Sequence, residues 1–287
     1  MKVKKAVAIS TDCTADIPDD ILENLGVEVI YFYISTESGR FRDTDEITSR
    51  NIVDYAAGGI KKATSAPPSP EEYREFFTQQ LTKCEKLIHI CIGGKVSRAY
   101  ENACAALEGF ENAVTVIDSL QLSTGIAHMV MKACELKDKK KQAHEIANEL
   151  EKMKHHISST FSAESAEYLY YNGRVNEGIA RLCRILNLHP ILGMKDGSLK
   201  LIGMGAGNYN NALKRYIKKR LKDKESIDTD RVFITCVGCS VKTKNMVKKE
   251  VEKHLHFREI IINEASATVS VNSGPGTVGV LYTRKYN

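Results

Sequence analysis

Thr64 and Ser65 stand side by side in Ala63-Thr64-Ser65-Ala66-Pro67-Pro68-Ser69-Pro70. The prolines disfavour helix at the residues before them and hold the segment extended. Two hydroxyls on a stiff, uncharged stretch can donate hydrogen bonds to an anion such as a carboxylate, or cap the helix that follows. Ser97 ends the loop Gly93-Gly94-Lys95-Val96-Ser97, directly before a helical pattern. Its hydroxyl can serve as an N-cap, a ligand donor or a nucleophile. A helix start favours negative charge, so a carboxylate can be held there without any base. Arg174, in Asn172-Gly173-Arg174, can bind a carboxylate or form an ion pair between domains, and the ion pair is the expectation. Gly274-Pro275-Gly276 offers a tight turn between strands, able to approach a backbone or a ligand closely.

A hydrolytic role would need more than Ser97. The glycines of a GxSxG elbow are missing around it. Gly94-Lys95 is followed by Val96, not by the Ser or Thr of a phosphate-binding loop, and His89 stands where that loop's first glycine belongs. His89 alternates with apolar neighbours, the pattern of a core histidine in a strand. Asp12 and Asp118, each closing an apolar run, are the remaining acid/base candidates. An enzyme acting on an acyl ester or a phosphorylated substrate through Ser97 or Asp12 and Asp118 therefore stays open as the alternative function. Of eight cysteines only Cys236 and Cys239 have CxxC spacing. No second pair or neighbouring histidine completes the four ligands of a structural zinc. They read as small buried hydrophobes, and no metal site or cofactor is expected.

These residues need elements to position them. Ala6–Ser10 is a short apolar run ending in a polar turn, and Asp19 and Asp20 open a short helix that Gly26 stops. Tyr73, Phe76, Phe77 and Leu81 recur at helical spacing behind Pro70. Leu87–Ile92 and Val114–Asp118 are buried strands, each followed by a helical pattern. Alternation of this kind predicts an α/β fold with a largely parallel sheet, and ligands at the carboxyl ends of its strands. Ser10–Thr14, Gly93–Ser97 and Asp118–Ser123 all fall at such ends. Helical segments then run through Glu164–Tyr171 and Asn176–Leu186, followed by a hairpin around Lys195-Asp196-Gly197. A helix, the strand Arg231–Val237, a basic helix and three short strands complete the pattern. Two α/β domains, 1–155 and 156–287, are expected.

Over 287 residues, 43% are hydrophobic and 27% charged, the balance of a globular chain large enough to enclose a cavity. No apolar run approaches the roughly 18 residues of a membrane span, and the basic start Met1–Lys5 is not followed by a signal-like core. A cytoplasmic protein is expected. The net charge of +5 divides unevenly, at −4 over residues 1–155 and +9 over 156–287. Much of the excess lies in Lys214–Lys224 and Lys242–Lys253. This is either a solvated face or a surface for an acidic partner or an anionic membrane, at most a peripheral contact. No nucleic-acid motif accompanies it, so no nucleic-acid partner is expected.

Taken in order, these segments resemble the DegV family. Thr11-Asp12-Cys13-Thr14-Ala15-Asp16-Ile17-Pro18 is similar to its opening motif, with Cys13 in place of the usual serine. Thr64-Ser65-Ala66-Pro67 resembles its Thr-Ser-Gln-Pro segment, and Gly93–Tyr100 its serine- and glycine-rich loop. Val116–Ser119, Asn172–Val175, Leu186–Leu192 with Asp196-Gly197, and Gly274–Gly279 continue the match. The resemblance implies two α/β domains with one long-chain fatty acid between them, presented to a separate fatty acid kinase, with no catalysis by the chain itself. Carried over by position, it implies that Thr64 and Ser97, with Ser65, hold the carboxylate. Gly94, Arg174, Asn272, Gly274 and Gly276 are secondary ligand or interdomain positions. Gly94 stands where the family usually has another serine, Arg98-Ala99 replace Gly-Thr, Gly207 falls where many relatives carry arginine, and Asn272 replaces a histidine. Fewer polar contacts at the head group are therefore expected, and kinase partnership is more exposed to these changes than lipid binding.

Overall fold

The computed structural model describes residues 4–57, 59 and 63–286. Among them, the first part of the chain contributes strands β1 (Lys5–Asp12), β2 (Glu28–Ile30), β3 (Tyr33–Thr36), β4 (Gly39–Arg42) and β5 (Thr64–Ala66). It continues with β6 (Cys84–Cys91) and β7 (Val114–Asp118). The second part contributes β8 (Ile157–Ser162), β9 (Leu188–Lys195), β10 (Ser198–Ala206), β11 (Ile227–Cys236), β12 (Glu259–Glu264) and β13 (Val278–Arg284). They make three sheets: four strands in the order β2-β1-β6-β7, six in the order β10-β9-β8-β13-β11-β12, and three in the order β4-β3-β5.

The four-stranded sheet is wholly parallel, as the strand–helix alternation predicts. Its central strand β6 is buried from Leu87 to Cys91, a near-continuous apolar run suited to a strand covered on both faces. His89 lies in it, fully buried against the rings of Tyr73, Phe76 and Phe77, with Nδ1 2.9 Å from Ser10 Oγ. Burial pulls its pKa down to about 3, so it is neutral.

In the six-stranded sheet only β11 and β12 pair in parallel. The helix Thr124–Asp138 is buried on nearly all sides, because it packs on β1 on one flank and on β8 and β13 on the other. Gly125 permits that approach: a Cβ there would lie 2.2 Å from Ser159 Oγ. Phe233 and Leu281 consequently join the same apolar cluster as Ile9, Ile88 and Ile90.

Two local expectations need correction, and two features were not read from the sequence. The β-rich stretch 27–34 is divided between two sheets, β2 ending at Ile30 and β3 beginning at Tyr33. The strand β8 was hidden by its polar sequence Ser158-Ser159-Thr160, whose side chains find partners inside the fold: Ser159 Oγ donates to Gln121 Oε1, and Thr160 Oγ1 is 2.8 Å from the Tyr216 hydroxyl. The helix after Ser97 begins at Ala99 with Arg98 as its cap residue, although Ser97 Oγ still accepts from Ala99 N at 3.3 Å. The three short closing strands are two strands with a helix, Ala267–Ser273, between them.

Candidate functional site

That helix is the key to the site. Its sequence, Ala-Thr-Val-Ser-Val-Asn-Ser, carries β-branched residues of low helix propensity. Three buried groups impose the helix. Ser266 Oγ accepts from Val269 N at 3.3 Å, an N-cap. Asp43, fully buried, accepts from Ala267 N at 2.7 Å and Thr268 N at 2.8 Å. Asp16 accepts from Ser266 N at 2.8 Å and from Ser123 Oγ at 2.5 Å. Two carboxylates from the first part of the chain thus satisfy the N–H groups that a helix start leaves without partners. Ala267 and Val271 then close an apolar contact with Ile34, Ile47 and Ile52.

The opposite face of the helix presents Thr268, Val269, Asn272 and Ser273 to a cavity of about 370 Å³. This volume falls in the range of small-molecule sites, roughly 300–1,000 Å³. Phe32, Ile92, Val96, Leu122, Phe161, Leu169, Leu199, Val237, Val269 and Leu281 give it apolar walls. Thr64, Ser65, Ser97, Ser123, Thr160, Thr235 and Thr277 add hydroxyls, and Arg98 and Arg174 are its charged residues. Among the described residues, no Asp, Glu, His, Lys or Cys belongs to the lining.

Thr64, Ser65, Ser97, Arg174 and Asn272 are therefore brought to one cavity from four separated stretches of sequence. Asn272 Nδ2 donates to Ser65 Oγ at 3.1 Å, and its Oδ1 accepts from Arg174 Nη2 at 3.3 Å. Since Ser65 Oγ accepts from Asn272, its own proton is free to be donated elsewhere. The expected ion pair of Arg174 is not formed with any described carboxylate; the guanidinium meets the amide of Asn272 instead, and burial pulls its pKa down. A partly desolvated cation with no anion is a natural place for a carboxylate. The polar end of the cavity is thus less depleted than the Asn272 substitution implied.

The three glycines lie off the cavity wall. Gly94 N donates to Asp118 Oδ1 at 3.0 Å, and Tyr100 packs over it. Gly274 and Gly276 have φ of +81° and +80°, and a Cβ at either would run into Tyr168 or Glu164 respectively. Their role is to turn the chain from the helix into β13, a helix-to-strand turn where strand-to-strand was expected, which places Ser273 and Thr277 on the lining.

The acid/base candidates are also occupied elsewhere. Asp12 is fully buried and accepts from Thr14 N at 3.1 Å and Ile92 N at 2.9 Å, while burial lifts its pKa to about 6. Asp118 accepts from Gly94 N and Leu120 N, fixing the loop before Ser97. Among the described residues of the lining there is no imidazole or carboxylate to take a proton from Ser97. Of the three strand ends named as ligand positions, those at Ile92–Ser97 and Leu122–Ser123 reach the cavity, whereas Thr11–Cys13 line a groove elsewhere. Sequence reasoning placed Ser123, whose backbone is held at φ +53°, at a strand end without singling it out, and missed the hydroxyls Thr160, Thr235 and Thr277 inside strands or at a strand start. It also missed Asp43, disguised in the charged run Arg42–Glu46.

An α/β fold with a hydroxyl-bearing, largely apolar cavity suits the binding of a small amphipathic molecule. Residues 6–285 match the sequence profile described as "Uncharacterised protein, DegV family". The chain belongs to the DegV family. A DegV domain-containing protein of Deinococcus radiodurans is 26% identical over 281 residues, covering 96% of this chain and 97% of its own. A DegV family protein from Thermus thermophilus, described for its fatty acid binding, is 27% identical with a TM-score of 0.85, covering 97% and 99% of the two chains. A DegV family protein from Eubacterium eligens, loaded with heptadecanoic acid, shares the fold at a TM-score of 0.85, with 19% identity and coverage of 98% and 100%.

Proposed function

We propose that this chain binds one long-chain fatty acid in the cavity beside the helix Ala267–Ser273, with the acyl chain against the apolar walls and the carboxylate among Thr64, Ser65, Ser97 and Arg174. The observation that carries this reading is the lining itself, which combines hydroxyls and guanidinium groups with apolar walls and, among the described residues, contains no general base. Such a set can hold an anion and offers no described group to activate a nucleophile, which supports a carrier role. The fatty acid binding described for the Thermus thermophilus relative supports it. Presentation to a separate fatty acid kinase, which the family resemblance implies, would fit a carboxylate held by donors alone, since a carboxylate left chemically unaltered is a substrate for phosphorylation elsewhere.

The division of the chain near residue 155, between the four-stranded and six-stranded sheets, belongs to the same proposal, as does a cytoplasmic location. No described helix is long and apolar enough to cross a membrane. On the helix Glu177–Leu186, Leu182, Ile185 and Leu186 are exposed next to Arg181 and Arg184. An apolar face flanked by arginines suits peripheral contact with an anionic bilayer, from which a fatty acid could be drawn.

The test is titration of delipidated protein with C16 and C18 acids and their matched alcohols. Saturable one-to-one binding of the acids, weakened by the alcohols, is the expected result. Binding of neither, with hydrolysis of acyl esters instead, would return the function to the enzymatic alternative.

A further inference from the structure

Cys236 and Cys239 gain from the fold a context that their spacing lacks. β11 ends at Cys236, Val237-Gly238 turn the chain, and Ser240 caps the helix Val241–His254 by accepting from Thr243 N at 3.1 Å. The next strand, β12, pairs in parallel with β11. The cysteines therefore occupy the first turn of a strand–helix–strand unit, at the carboxyl end of β11. That is where such units place reactive groups, and CxxC beside one is the context of a redox dithiol.

The two thiols differ. Cys236 is fully buried, whereas Cys239 is half-buried and lines an open groove with Gly238, Ser240, Lys244 and Glu264. Cys239 Sγ lies 3.8 Å from Val237 O and 3.7 Å from Thr277 O, and the influence of the two thiols on one another pushes Cys236 up and Cys239 down. Gly238, at φ +59°, makes the turn and packs on Val53, leaving no room for a side chain. The reachable member is thus the one more readily ionised, with its partner behind it.

We propose that Cys236 and Cys239 form a reversible dithiol–disulfide couple, exchanging with a small disulfide of the glutathione class, with Cys239 as the attacking thiol. Cys239 gives its proton to solvent, and its thiolate attacks one sulfur of the small disulfide. That S–S bond breaks, one small thiolate leaves and takes up a proton, and a mixed disulfide remains on Cys239. Cys236 then loses its proton and attacks the Cys239 sulfur, and the second small thiol departs. Two protein thiols are oxidised, one small disulfide is reduced to two thiols, and no other oxidant is required. The turn also touches the cavity: Val237 lines it, Val237 N donates to Thr277 O at 3.0 Å, and Gly276 N donates to Val237 O at 2.8 Å.

The experiment equilibrates the full chain with glutathione and its disulfide, from fully reduced to fully oxidised, then alkylates and maps the peptides. Two of the eight thiols should disappear together, both in the Cys236–Cys239 peptide, and return on reduction. Cys236→Ser should stop at one glutathione on Cys239, and Cys239→Ser should leave Cys236 unmodified. A pair that remains fully alkylated in oxidised glutathione, or modification confined to the half-buried Cys104, overturns the proposal. The wild-type peptide map decides the matter alone if either variant does not fold.

Discussion

Asn272 Nδ2 donates to Ser65 Oγ at 3.1 Å, joining residues 207 positions apart, while Asn272 Oδ1 holds Arg174. One amide thereby aims a hydroxyl and a guanidinium at the same cavity. Asn272→Ala frees both. The expected result is a loss of preference for acids over matched alcohols by about tenfold, with little change in alcohol affinity, because one oriented hydrogen bond to a charged group is worth roughly 1.5–3 kcal/mol. A competition assay at equal chain length reads it. An equal loss for acid and alcohol would mean that Asn272 only supports the wall.

Thr64→Ala and Ser97→Ala should each weaken acid binding by about ten- to a hundredfold with the fold retained, although Ser97→Ala also removes the acceptor of Ala99 N and should lower the thermal midpoint slightly. Both side chains line the cavity, and no backbone ladder depends on either hydroxyl. Unchanged affinity in both variants places the carboxylate elsewhere.

Asp43→Asn tests the seat of the helix Ala267–Ser273. The carboxylate accepts from two helix N–H groups; an amide offers one acceptor oxygen and turns its NH₂ toward the other donor. The expected cost is about 1–3 kcal/mol of stability, read from denaturant midpoints, together with weakened ligand binding. A variant as stable as wild type would show that Ser266 and the apolar contact suffice.

Asp16 gives a pH signature. Burial lifts its carboxyl from 3.8 to about 7 in the folded chain. The folded state therefore binds more protons between about pH 4 and 7, so the stability from Asp16 is full below the unfolded pKa and is lost as pH rises towards 7. Asp12, lifted to about 6, acts in the same sense. His89 and His128, pulled to about 3 and 4, act in the opposite sense below pH 6.5. The difference between wild type and Asp16→Asn isolates the one group: the variant should gain relative stability steadily from pH 4 to 7 and level off above. A pH-independent difference in urea midpoints contradicts the assignment.

The parallel sheet, the capped helix behind Pro70 and the hairpin at Asp196-Gly197 were legible because local patterns fixed them. Thr64, Ser65, Ser97, Arg174 and Asn272 were legible through motif resemblance, and all five meet at the cavity. What stayed hidden depends on distant partners. Val269 and Val271 look like strand residues until Asp43, more than 220 positions earlier, caps their helix. Ser159 and Thr160 look like a loop until Gln121 and Tyr216 receive their hydroxyls. Arg174 invited an ion pair because sequence cannot show that its neighbour is an amide.

The most direct test is native mass spectrometry of freshly purified protein, followed by denaturation and identification of the released species. The account predicts one C16–C18 fatty acid per chain, displaced by added acid of the same length and depleted in the Thr64→Ala/Ser97→Ala double variant. Protein that carries no lipid and takes none up from micellar fatty acid would contradict it.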